Sequence, residues 1–149
     1  TDPRQDIAEA LLKDIPQKGT IITYHKSFEK GVIEELAKFS SDPEISSSLR
    51  ALNERIVDLK DPFVDGGYYH PDFAGSFSIK KVLPAICEGD KNLDYEKLNI
   101  KNGGMASTAF RQLKNMNENE VETLREDLRE YCWLDTYAMY AIYTKLLSI

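Results

Sequence analysis

The segment TIITY, residues 20–24, is β-branched and uncharged, the pattern of a buried strand, in a chain whose other long segments carry helical periodicity. A lone buried strand leaves its N–H and C=O groups unpaired, so TIITY demands a partner. Either IVDL, residues 56–59, pairs with it, or partner strands lie outside this chain. The expected class is therefore α/β with an excess of helix.

The helical segments are legible from caps and stripes. Asp2 is an N-cap candidate with Pro3 at the first helical position, and Ile7, Leu11, Leu12 and Ile15 form one apolar stripe. A helix is expected from Phe28 to Phe39, with Val32, Ile33 and Leu36 facing inward. SSDPE caps the next helix, which carries Ile45, Leu49, Leu52 and Ile56. IVDLKDPF reads as a short strand ended by Asp61-Pro62. SFSIKKVLPAI reads as a short helix capped by Ser76 or Ser78, with Pro84 near its end. A polar link is expected over residues 87–104, then helix over 105–115 and 118–148, the last broken near Asp127–Glu130 because 31 residues is long for one globular helix.

Composition narrows the function classes. A chain of 149 residues suits a single domain with one core. Its net charge of −6 argues against a general nucleic-acid coat, although net charge does not describe a local cleft. Cys87 and Cys132 are far apart and lack metal-ligand spacing, the usage of a reduced, cytoplasmic protein. No apolar stretch is long enough to cross a bilayer, and TDPRQDIAEALL lacks the basic start and apolar middle of a signal peptide. Without an initiator methionine, the chain is expected to be processed or cut from something longer.

Three acids occupy special places. Glu29 follows a strand end and opens a helix, Asp58 lies within IVDL, and Asp135 lies in the apolar helix segment EYCWLDTYAMYAI. Asp135 shares a helix face with Tyr131, four residues before it. A carboxylate near buried surface needs a donor, a cation or a metal; the alternative is an exposed Asp135 near Lys145 and Arg129. Glu29 is otherwise an ordinary first-turn acid favoured by the macrodipole. His25 and Glu29 make only a weak zinc pair, since the other histidine, His70, reads as a loop-packing residue. Lys80 and Lys81, at a helix start, are either phosphate ligands or a solvated face.

YHKSFEKGVIEEL resembles the second motif of the DEDD 3′–5′ exonucleases, Asn-x-x-Phe-Asp at a strand end, with His25 in the Asn place and Glu29 in the Asp place. FSIKKVL resembles the Ser-Leu-Lys-x-Leu helix that often follows there, and YCWLD matches Tyr-x-x-x-Asp through Tyr131 and Asp135. Nearly the whole chain resembles a bacterial domain-of-unknown-function family, number 2779, through segments such as NERIVDL and YYHPDFAGSFSIKKVLPAI.

The resemblance implies a partial ribonuclease H-like fold and a nuclease acting on DNA or RNA ends with Mg²⁺ or Mn²⁺. Two cations about 4 Å apart would activate water and stabilise the leaving 3′ oxygen. Glu29 and Asp135 would be metal ligands, and Tyr131 would position the water. His25, Phe28, Ser78 and Lys80 would meet the substrate, with Asp58 either a site acid or a turn cap. The superfamily's first motif, Asp-x-Glu on a strand, is missing before TIITY, so the chain is expected to be the C-terminal part of such a domain and inactive alone. The competing reading is a non-catalytic interaction module on the same scaffold. An open strand edge leaves self-association as a further expectation.

Overall fold

The computed structural model describes residues 2–88 and 93–148. The single domain expected from length meets a chain that divides into two compact units, residues 1–67 and 68–149. Helix dominates both, and a two-stranded parallel sheet is present in the first.

In the first unit, α1 (Arg4–Asp14) precedes β1 (Ile21–Thr23), and α2 (Lys26–Phe39) and α3 (Pro43–Glu54) cross over to β2 (Ile56–Asp58). IVDL is thus the partner that TIITY required. The strands run parallel, Ile21 opposite Ile56 and Thr23 opposite Asp58. Parallel strands need such a crossover, and the α2–α3 pair supplies it. Asp42 caps α3 by accepting from Glu44 N–H at 2.8 Å, with Pro43 behind it. A core of Ala8, Ile33, Leu36, Ala37, Leu49 and Leu52 forms where α1, α2 and α3 meet.

Several expectations shift here. Ile56 belongs to β2 and not to the α3 stripe, because α3 ends before Arg55, whose carbonyl accepts Ile21 N–H at 3.0 Å. Val32 is 46% exposed, since Ile33, Leu36 and Ala37 set the inward face of α2. On α1 the buried residue is Ala8, whose small side chain permits close approach, while Ile7 faces outward. Asp61-Pro62 does not end the strand. It opens the short helix α4 (Asp61–Val64) after a turn at Asp58.

In the second unit, α5 (Ile79–Ile86) packs on α7 (Glu118–Leu146), with α6 (Gly103–Gln112) between them in sequence. Ser78 holds the N-cap position of α5, and Pro84 lies inside that helix. Phe73, Val82, Leu83, Leu134, Ala138 and Ile142 are all nearly or fully buried. The expected break at Asp127–Glu130 is absent, and α7 runs for 29 residues. It contains no Gly or Pro, and a capping box between Asn117 and Glu120 fixes its start. Its fully buried residues all lie in the C-terminal half, while Val121, Leu124 and Leu128 in the first half are only half-buried. The expected polar link includes residues 89–92, which lie outside the described residues, but Leu93, Tyr95 and Ile100 within it are buried.

Candidate functional site

The sequence-predicted residues fall into two sets, one in each unit. His25, Phe28, Glu29 and Asp58 belong to the first; Ser78, Lys80, Tyr131 and Asp135 belong to the second.

The first set is built on the turn from β1 into α2. His25 occupies the N-cap position in the left-handed region, with φ +85°. A side chain there strains the backbone, and surrounding structure must hold it. Asp58, at the end of β2, provides that hold. Its Oδ1 accepts His25 N–H at 2.9 Å and Lys60 N–H at 3.0 Å, and its Oδ2 accepts Lys26 N–H at 2.8 Å. Burial alone would raise the Asp58 carboxyl; the three N–H bonds outweigh it and leave it below the ordinary range. Asp58 is thus a cap for the α2 entry as well as for its own turn. Lys26 completes the corner with a 2.6 Å ion pair to Asp61.

Glu29, in the first turn of α2, has the opposite environment. Its Oε2 is buried and has no hydrogen-bond partner among the described residues. Burial first, and then the charge of Asp58, push its carboxyl upward, while its own N–H and His25 act against them. Phe28 beside it is 67% exposed.

The second set centres on Asp135. Its Oδ1 accepts the Tyr95 hydroxyl at 2.6 Å. Tyr131, one turn earlier on α7, also hydrogen-bonds it, and the Tyr95 and Tyr131 rings meet edge-on at 6.4 Å. Burial, followed by the carboxylate, holds both phenols well above their usual range. The Tyr131 hydroxyl lies 3.8 Å from where a Cβ on Gly103 would stand, at the start of α6. Lys80 does not project freely. Its Nζ donates to the Lys101 carbonyl and sits 5.4 Å from the Tyr95 ring centroid. Ser78 is exposed and makes no side-chain cap bond. Sequence reading missed Tyr95, which lay in the supposed polar link; the apolar spacing of Leu93, Tyr95, Leu98 and Ile100 was the signal.

The donor chemistry of Glu29 in the first unit, and separately of Asp135 in the second, suits a divalent cation. Glu29 offers a buried oxygen without a partner, and Asp135 has the hydroxyl support that metal-ligating carboxylates carry. Asp58 fits less well, because its oxygens already accept three N–H bonds. A third grouping, His70, Asp72 and Glu88, brings ligand atoms within 4.8 Å of one another. There the His70 Nδ1 already accepts Asp72 N–H at 3.3 Å, both acids are exposed, and the ring packs 6.0 Å from Phe73, as expected of a loop-packing histidine.

No helix among the described residues is long and apolar enough to cross a membrane. No solved structure matches the chain. Three curated relatives are similar to it. Uncharacterized protein MG366 homolog of Mycoplasma pneumoniae is 29% identical across 91% of this chain and 22% of its own length. Uncharacterized protein MG366 of Mycoplasma genitalium is 30% identical across 91% and 22%. Uncharacterized protein UU173 of Ureaplasma parvum is 30% identical across 95% and 23%. The chain thus spans less than a quarter of the length of these relatives. The family described as "Domain of unknown function (DUF2779)" matches residues 1–78, more than half of the 149, and the chain belongs to that family.

Proposed function

We propose that this chain is part of a metal-dependent 3′–5′ exonuclease-like nuclease on a ribonuclease H-like scaffold, acting on DNA or RNA ends. The observation that carries the reading is the Glu29 carboxylate. It sits where a parallel strand passes into a helix, one oxygen is buried without a partner, and Asp58 adds negative charge beside it. An acid so placed costs stability unless a cation joins it. The order of Glu29, the Lys80 helix and the Tyr131–Asp135 pair along the chain supports the same reading.

When bound, Mg²⁺ or Mn²⁺ would supply an activated water and stabilise the departing 3′ oxygen. Glu29 and Asp135 would each serve as a metal ligand within its own unit. Tyr131, already bonded to Asp135, would orient what approaches that carboxylate. Phe28 offers an exposed ring for stacking on a base, and His25 borders it. Ser78 and Lys80, at the start of α5, would meet a phosphate once Lys80 releases the Lys101 carbonyl.

The test uses a longer family chain containing this segment, labelled single-stranded DNA and RNA, and Mn²⁺. Shortening from the 3′ end, reduced at least about 100-fold in Asp135→Ala and in Glu29→Gln, is expected. Shortening that survives Asp135→Ala overturns the assignment. A folded wild-type chain without activity on either substrate favours the interaction module.

A further inference from the structure

We infer that Tyr95 is a positioning residue, which fixes the orientation of the Asp135 carboxylate for a divalent cation through the hydrogen bond from its hydroxyl to Oδ1. The inference rests on the nuclease reading to the extent that it takes Asp135 as a cation ligand.

Tyr131 and Asp135 sit on the same helix one turn apart, so their bond moves with α7 and ties the carboxylate to nothing else. Tyr95 comes from a separate 3₁₀ turn, 40 residues earlier, and its 2.6 Å bond anchors Asp135 to that turn. The ring itself is held. It is 6% exposed, the Tyr131 ring meets its edge, and Lys80 Nζ lies over its face. Asp94 pins the turn by accepting Glu96 N–H at 3.0 Å. At 2.6 Å from a carboxylate oxygen, the hydroxyl is the donor and Oδ1 the acceptor. It therefore takes one lone pair of Oδ1 and fixes the plane of the carboxylate relative to the 3₁₀ turn. Partners of this kind orient metal-ligating acids, and losing one typically costs 10–100-fold in metal affinity or activity.

Tyr95→Phe keeps the ring and removes the donor. In a Mn²⁺ titration of this chain followed by NMR, paramagnetic broadening of the Asp135 amide is expected. Its midpoint should move to at least about tenfold higher Mn²⁺ in Tyr95→Phe. A purely structural tyrosine would lower the melting temperature without moving that midpoint. In the longer chain, kcat should fall about 10–100-fold with KM unchanged. Broadening with the same midpoint in both proteins overturns the inference and leaves the nuclease reading standing. Absence of Asp135 broadening in the wild type overturns both. If the variant melts too early for the titration, the kcat and KM split in the longer chain, measured below its melting temperature, decides.

Discussion

At the end of β2, Asp58 accepts three backbone N–H groups and sits below the ordinary carboxyl range, whereas Glu29, close by in the same unit, keeps a buried oxygen without a partner and is pushed upward. Asp135, in the second unit, is different again, since side-chain hydroxyls support it in place of backbone. The contrast separates the acid that holds the fold from the acids suited to a cation. Backbone N–H donors are permanent, so Asp58 is committed to the β1–α2 turn. Hydroxyl donors take one lone pair each and leave room for a further partner. Glu29 has weaker support for its charge, from its own N–H, His25 and the start of α2, and burial outweighs it.

The largest expected effect comes from removing the committed acid. Asp58→Ala should destabilise the chain by about 2–3 kcal/mol, because three N–H groups lose a charged acceptor and the strained His25 turn loses its hold. Urea denaturation reads this directly, and a loss below about 0.5 kcal/mol would erase the contrast with Glu29. The Asp58 contribution should be present above pH 3.8 and vanish as pH falls through its lower folded value.

Tyr95→Phe should cost about 1.5 kcal/mol, the low end for a hydrogen bond to a charged group. Parity with wild type in the same denaturation would make the bond idle in the folded state. Glu29→Gln should have the opposite sign, a gain of roughly 0.5–1 kcal/mol at pH 7 after allowing for its partial exposure. The folded Glu29 carboxyl lies above its ordinary 4.5, so the penalty of charging it appears as pH rises through that folded value. The advantage of Gln should therefore disappear below pH 4.5, and an advantage that persists there would point to packing and not charge. The smallest effect is His25→Gly, expected to gain about 0.5 kcal/mol, as relief of the φ +85° strain exceeds the entropy glycine adds to the unfolded chain. A loss would mean that the His25 side chain contributes contacts of its own.

Much of the frame is legible in the sequence. TIITY demanded a partner, and IVDL supplied it in parallel. Asp42 and Ser78 sat at helix starts as expected. What failed did so for identifiable reasons. The start of β2 lay directly after α3, so Ile56 continued a helical spacing although its backbone had already become strand. The break expected in α7 assumed that length alone limits a helix, but a segment free of Gly and Pro with a capping box needs none. Tyr95 escaped notice because its partner Asp135 is 40 residues away and periodicity sees only local spacing. The Asp58 bonds to His25 and Lys26 were hidden likewise, by separations of 33 and 32 residues.

The most direct test of the central proposal, that Glu29 is a cation ligand, is thermal melting of the wild-type chain and Glu29→Gln with and without millimolar Mn²⁺. The account predicts that Glu29→Gln melts higher than wild type in the absence of metal, and that Mn²⁺ raises the wild-type midpoint more than that of the variant, since a ligand of the folded state stabilises it by mass action. Equal Mn²⁺ shifts in the two proteins, or no shift in the wild type, would contradict it.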